Sequence, residues 1–293
     1  MSKIRSYDGG IRPERQRAGK GPVSVATFAF AQLLRVLPRT GLSHAVGRLC
    51  ETPLPPRISR AVAGAYIRAY GVDMQDVDGG TYRTFDAFFT RPLRNGARRI
   101  ADAAVVSPAD GQLTASGVID SASRILVKGR PYDVAELVGD PAQAAAFAGG
   151  SFAVIYLSPR DYHRVHCPVD GRLTLARGIS GDLYPVNSIG ENHVPNLFVK
   201  NQRVAMTIDS PAVGPVAAVL VGAMIVGKIT ISAIDANETP LGIYRFEPPL
   251  DVHRGDEIGM FHLGSTVVLF TGPRTSLSRA HGHVRCGQSL VAS

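Results

Sequence analysis

Two hydrophobic patterns divide the chain. From residue 23 to about 94 apolar positions recur at helical spacing; from about 104 onward they gather into short runs with strand-like spacing. The first pattern predicts helices over 23–37, 41–50, 57–70 and 82–90, separated by Pro38, the Pro-rich 53–56 segment and Gly71. The third helix, 57–70 (RISRAVAGAYIRAY), places Ile58, Val62, Ala65 and Ile67 toward one side with arginines between them. The fourth segment, 82–93 (YRTFDAFFTRPL), packs Phe85, Phe88 and Phe89 into one short helix, with Thr84 as N-cap and Pro92 as the stop.

The second pattern is a series of Val/Ile-rich runs at 125–127, 152–157, 172–175, 204–208, 216–226, 228–234 and 266–270, punctuated by Gly, Pro, Asp and Asn. Such spacing predicts an antiparallel β sandwich or barrel. Two short helices are expected to interrupt it, one from 134–137 onward and one over 141–147. The fold class expected is α+β: an N-terminal helical layer on a mostly antiparallel, sandwich- or barrel-like β domain. The divisions are a basic tail over 1–22, a helical membrane-associating region over 23–94 and a β-rich catalytic domain over 95–293.

Composition narrows the class. With 293 residues, 45% hydrophobic and 19% charged, the chain can build a core, and disorder is excluded. The formal charge of +8 suits nucleic acid, an anionic membrane or an acidic substrate. Part of it crowds the N-terminus, at Arg5, Arg12, Arg15, Arg17 and Lys20. The remaining arginines are scattered without aromatic–basic interleaving or a recognition helix, which argues against nucleic acid. Cys50, Cys167 and Cys286 form neither a CxxC pair nor a disulfide framework, as in a reducing compartment. No stretch reaches the ~18 apolar residues of a spanning helix. Residues 216–227 are apolar but stop at Lys228, which suits buried strands. Residues 23–37 mimic a secretory signal, with Ala29-Phe30-Ala31 as the cleavage mimic, but their apolar pattern continues past that point. An amphipathic helix in the membrane interface is the expectation, and a buried core helix is the alternative.

Three places carry candidate chemistry. In 107–111 (SPADG) Asp110 stands directly before a Gly, after an X-Pro pair, on a tight turn; such an aspartate can serve its own turn alone. In 158–168 (SPRDYHRVHCP) Ser158 is a possible N-cap, with Pro159 first in the helix and Asp161 as return partner. A single helical turn would then put His163 and His166 on one side. Two imidazoles suit acid–base work near neutral pH better than zinc, which wants a third ligand at motif spacing. In 259–270 (GMFHLGSTVVLF) the pair Gly264-Ser265 stands immediately before an apolar run. It reads either as a glycine bulge with an ordinary strand serine, or as a carbonyl held under strain beside a hydroxyl.

Together these places resemble the phosphatidylserine decarboxylase proenzymes, in their bacterial, membrane-associated form. The resemblance runs from about residue 66 onward. It rests on 82–93 (YRTFDAFFTRPL), 107–111 (SPADG), 156–166 (YLSPRDYHRVH), 181–187 (GDLYPVN), 194–204 (VPNLFVKNQRV), 221–227 (VGAMIVG) and 263–266 (LGST). Met224 and Lys228 depart from the family pattern, where Thr and Ser are common, and Cys167 falls on a variable position.

The resemblance implies self-cleavage between Gly264 and Ser265 through a relay of Asp110, His166 and Ser265. His166 would take the serine proton and Asp110 would orient the imidazole. Ser265 would then become a covalent pyruvoyl group, the cofactor, with no metal. That group would form a Schiff base with the serine amine of phosphatidylserine and act as the electron sink for loss of carbon dioxide, giving phosphatidylethanolamine. His163 is the candidate proton donor. The two fragments, 1–264 and 265–293, are expected to stay associated, and such two-piece units to pair as a homodimer. The expected location is peripheral, on the cytoplasmic side of the cell membrane. Lys200, Asn201 and Arg203 are donors by type for the lipid phosphate, though ordinary surface residues by the same reading; the substrate-binding residues stay unassigned. Two other readings stand beside this one: a pyruvoyl decarboxylase of a soluble amino acid, and a non-enzymatic β-sandwich binding module.

Overall fold

A computed structural model describes residues 39–186, 188–224, 228–262 and 265–291. The expected helix 23–37, Leu263, Gly264 and residues 225–226 of the 216–226 run therefore lie outside the described residues.

Three helices precede the sheet: α1 (Arg39–Glu51), α2 (Pro56–Tyr70) and α3 (Phe85–Phe89). α2 opens with Pro at its first position, where no N–H is needed, and closes at Gly71, whose positive φ of 65° lets its N–H reach the Ile67 carbonyl. α3 is capped as expected, Thr84 accepting from the Ala87 N–H. The apolar stripe of α2 does not face the core. Ser59 and Tyr66 point inward, donating to the carbonyls of Tyr82 and Pro159, while Ile58 and Val62 face outward.

The strands are β1 (Gly111–Val118), β2 (Arg124–Val127), β3 (Arg130–Asp133), β4 (Ser151–Leu157), β5 (Arg164–His166), β6 (Gly171–Ile179) and β7 (Arg203–Ser210). They continue with β8 (Gly214–Val221), β9 (Ile229–Ile231), β10 (Gly242–Val252), β11 (Glu257–Phe261), β12 (Ser265–Thr271) and β13 (Gly282–Val284). Between them lie α4 (Val134–Val138), α5 (Pro141–Ala145), α6 (Ser188–His193) and α7 (Leu197–Lys200).

Eight strands form one antiparallel sheet in the order β10-β6-β7-β8-β12-β4-β1-β13. The α+β class holds, and the sheet stays open rather than closing into a barrel: β10 and β13 are its edges. β10 carries Pro248 and Pro249, which an edge strand tolerates.

The middle strands are buried on both faces, which is why they read as unbroken apolar runs. Val267 and Leu269 of β12 pack into one core with Val165, Ile229, Ile258 and Phe261 of a small sheet, β5-β11-β9. Val268 and Phe270 pack into a second core with Phe89, Ile125, Leu137 and Phe198, from the helices and the β2–β3 hairpin. The molecule is therefore three layers, with the large sheet in the middle.

Two expectations are corrected. Residues 158–166 do not form a helical turn carrying both histidines. A tight turn at Ser158 leads into β5, so His166 lies on a strand and His163 just before it. The expected return bond does form: the Ser158 N–H and hydroxyl both donate to Asp161 Oδ2, at 2.7 and 2.6 Å. Asn201 and Arg203 are not surface donors. Asn201 is fully buried and bonds the backbone of Tyr184 and Gly222. Arg203 is buried against the carbonyls of Glu136, Leu137, Val199 and Asn201, closing the C-terminal end of α4. Burial lowers its pKa to about 10, with the Glu136 carboxylate pulling the other way.

Candidate active site

The ladder gathers the three sequence-marked places at one end of the large sheet. Gln112, Tyr156, Thr266 and Val221 occupy one row across β1, β4, β12 and β8. Ser265 sits one position along, opposite Leu157. With strands ~4.8 Å apart, the start of β1 and the start of β12 lie about 10 Å from each other. Gly111 makes this junction possible, since a Cβ there would stand 2.5 Å from the Tyr156 carbonyl oxygen.

Asp110 is not absorbed by its own turn, where Ser107 donates to the Ala109 carbonyl instead. Its carboxylate receives Arg98 Nε at 3.0 Å, Arg98 Nη2 at 2.6 Å and the Cys286 N–H at 2.8 Å. Arg98 also reaches Asp76 at 2.7 Å, so one guanidinium bridges two acids. Buried Cys286 is held as a thiol, its pKa raised to about 12 by desolvation and then by Asp110.

His166 engages both ring nitrogens elsewhere. Its Nδ1 lies 2.7 Å from the Gly255 carbonyl, which fixes the proton there. Nε2 is then an acceptor and lies 3.1 Å from the Tyr162 hydroxyl. The two rings stack with centroids 5.6 Å apart. Desolvation depresses the His166 pKa, with the Gly255 carbonyl, Glu257 and Asp110 pulling the other way. Among the described residues no hydrogen bond joins His166 to Asp110 or Ser265. Asp110 acts on it only through its field, and it is Gly255 that orients the ring.

His163 is fully buried. Its Nδ1 lies 2.8 Å from the Asp161 carbonyl, and its ring contacts Phe89 at 4.1 Å between centroids. Nε2 is buried with no partner. Desolvation, reinforced by Arg91, lowers its pKa to about 3, so the ring is neutral with a free lone pair. Ser265 is the complement: fully buried, its hydroxyl without any partner, at the head of a wholly buried strand. An orphaned buried hydroxyl costs about 1–3 kcal/mol, which makes it an unusual residue to keep for structure alone.

The sequence reading missed Arg98, Gly255 and Arg91. Arg98 is one arginine among several in 91–99, and Gly255 acts through a backbone carbonyl, which no side-chain pattern signals. Tyr162 stood inside a quoted motif but had no stated role. Among the described residues no group of three or more His, Cys, Asp or Glu is placed to hold a metal.

The sequence model of the family described as phosphatidylserine decarboxylase matches residues 85–292. Curated relatives carry the name phosphatidylserine decarboxylase proenzyme. The one from Anaeromyxobacter sp. (strain K) is 40% identical over 253 residues, covering 83% of this chain and 89% of the relative. That from Acidovorax ebreus (strain TPSY) is 43% identical over 270 residues, covering 87% and 94%. That from Bordetella pertussis (strain Tohama I) is 39% identical over 287 residues, covering 92% and 95%.

Proposed function

The chain belongs to the phosphatidylserine decarboxylase family, and from that premise we propose that it cuts itself between Gly264 and Ser265 and decarboxylates phosphatidylserine to phosphatidylethanolamine. The observation that carries this reading is Ser265: a buried hydroxyl with no partner, at the head of a central strand, where the LGST motif puts the cut. Burial away from bulk water suits a serine that attacks its own chain, because bulk water does not compete with the hydroxyl for the carbonyl.

In the proposed step His166 Nε2 takes the Ser265 proton. The Gly255 carbonyl already holds the opposite nitrogen protonated, the tautomer a general base needs. The Tyr162 hydroxyl occupies Nε2 beforehand and must give way. Asp110, paired with Arg98, supplies a nearby negative field as the imidazole gains charge. Ser265 Oγ adds to the Gly264 carbonyl carbon, and the peptide C–N bond breaks as His166 returns the proton to the leaving Ser265 amine, giving an ester. Loss of the Ser265 α-proton then expels the Gly264 carboxylate and leaves a dehydroalanine, whose hydrolysis releases ammonia and gives the terminal pyruvoyl group.

The position fits a terminal pyruvoyl group derived from Ser265, which supplies an electrophilic carbonyl that accepts the electron pair released with carbon dioxide. Around it this chain provides the exclusion of water and, in His163, a neutral imidazole with an unengaged nitrogen to hold and return a proton. The fragments 1–264 and 265–293 stay together because β12 is laddered between β4 and β8. Pairing of these units as homodimers remains part of the proposal.

The lipid substrate, rather than a soluble amino acid, is favoured by the outward apolar side chains of α1 and α2, namely Leu49, Ile58, Val62 and Tyr70, interleaved with arginines. No described helix is long and apolar enough to cross a membrane, so the proposed attachment is peripheral. Intact-mass measurement tests the reading. The purified protein should give two pieces divided after Gly264, with the smaller one lighter by the loss of ammonia. Ser265→Ala should give one uncut, folded chain with no decarboxylation, and a cut Ser265→Ala chain would refute the proposal.

A further inference from the structure

Only Leu263 and Gly264 separate His262 from Ser265. On the far side of that link, Ser265 is fixed by its pairing with Leu157. On the near side, the last residues of the β11 segment are held by an unusual number of bonds. The Phe261 N–H donates to the His163 carbonyl at 3.0 Å, and the His262 N–H to the Lys228 carbonyl at 3.1 Å. The His262 ring is engaged at both nitrogens. Nδ1 lies 2.8 and 3.0 Å from the two carboxylate oxygens of Asp86, and Nε2 lies 3.2 Å from the Thr230 hydroxyl. Asp86 comes from α3 in the N-terminal layer and Thr230 from β9, so two segments distant in sequence converge on this ring.

The pair is largely shielded from water, with side-chain exposures of 10% for His262 and 17% for Asp86. A charge-assisted hydrogen bond there holds geometry better than an exposed ion pair. The same layer grips the adjacent segment a second time, through Glu51 of α1 and Lys228 at 2.5 Å. An apolar side chain at 262 would serve packing equally well. What the carboxylate–imidazole–hydroxyl chain adds is a fixed direction for the backbone just before the proposed cut.

We propose that Asp86 and His262 are positioning residues for self-cleavage: the N-terminal helical layer, through Asp86, holds the His262 backbone so that the next carbonyl but one is presented to Ser265. This rests on the proposed cut after Gly264. Intramolecular attack depends steeply on placement, and a displacement of about 1 Å can cost on the order of a hundredfold. The pair touches no reacting atom, so its effect falls on the cleavage rate.

The test follows conversion of freshly synthesised full-length chain into its two pieces by gel, alongside kcat and KM for phosphatidylserine per processed molecule. Asp86→Ala and His262→Ala should slow conversion by about tenfold to a hundredfold, with decarboxylation per processed chain changed by less than about twofold. Asp86→Asn, which keeps a carbonyl oxygen for Nδ1–H, should restore most of the rate. Thr230→Val, which removes only the outer hydroxyl and leaves the carboxylate contact intact, should slow conversion several-fold and covers the case in which the alanine variants misfold. Conversion at the unaltered rate in all these variants overturns the inference, as does a parallel fall in cleavage and decarboxylation. Ser265→Ala run beside them separates the two ideas, because a cut in that chain defeats the cleavage reading itself.

Discussion

At the scale of single residues, two unsatisfied atoms stand out: the Ser265 hydroxyl, a donor without an acceptor, and His163 Nε2, an acceptor without a donor. His163 has a consequence in pH. Its folded pKa lies near 3, below the unfolded value of about 6.5. Between those values the unfolded chain binds a proton that the folded chain refuses. Stability from this group is therefore complete above pH 6.5 and is lost as the pH falls, at up to about 1.4 kcal/mol per pH unit. His163→Gln, made in the uncut Ser265→Ala chain so that one chain unfolds, should flatten that loss. Urea unfolding at pH 7 and pH 5 should show the parent losing roughly 2 kcal/mol more than the variant; parallel losses would show that His163 is not held neutral. In the otherwise natural chain, His163→Gln should cleave normally and decarboxylate poorly, as expected of a neutral imidazole that takes up a substrate proton at its bare Nε2 and returns it, and that self-cleavage does not use.

At the scale of elements, what was legible in the sequence was what local chemistry decides. The cap at Thr84, the stop of α2 at Gly71, and the apolar runs of β4, β7 and β12 all formed where the residues predicted, while α2 began one residue early, at Pro56. Short strands fixed by distant partners were not legible. β5 holds because it pairs with β11, which pairs in turn with β9, and β5 replaced the expected helical turn. The capping residues at Ser158 and Asp161 did bond each other, yet that signature also fits a turn entering a strand. The candidate site divides the same way: Asp110, His166 and Ser265 are proposed from motif, whereas the Arg98 and Gly255 contacts arise from chain crossings with no local pattern. The β1–β4 crossing gives a test at this scale. Gly111→Ala would drive a Cβ to 2.5 Å from the Tyr156 backbone oxygen, so the strands must part beside Asp110. A loss of about 1–3 kcal/mol is expected, the usual range for forced overpacking, toward its upper end because the obstacle is backbone. A melting temperature within a degree or two of the parent would show that the crossing yields.

At the scale of the whole molecule, the helical layer has two sides that the sequence pattern could not tell apart. Apolar spacing in 57–70 shows that one side of a helix is apolar, but not whether that side meets protein or membrane. The inward residues turned out to be Ser59 and Tyr66, which spend their hydroxyls on backbone carbonyls, and the apolar side was left outside. Leu49 is 70% exposed and Ile58 51%, values that a core helix does not leave at such positions. With Arg57, Arg60 and Arg68 on the same helix, this surface suits an anionic bilayer, where each buried apolar side chain and each nearby cation adds on the order of 1 kcal/mol. The triple change Leu49→Glu, Ile58→Glu and Val62→Glu removes apolar contact and adds repulsion without touching the Asp86–His262 or Glu51–Lys228 contacts. Co-sedimentation with phosphatidylserine-containing vesicles should weaken by at least tenfold, and KM for vesicle substrate should rise while self-cleavage proceeds at its usual rate. If vesicle binding were unchanged, docking would have to reside elsewhere in the chain. If cleavage slowed with binding, the layer would be one mechanical unit whose membrane face and Asp86 contact cannot be altered separately, and the pin on His262 would then report whether the enzyme has reached its bilayer.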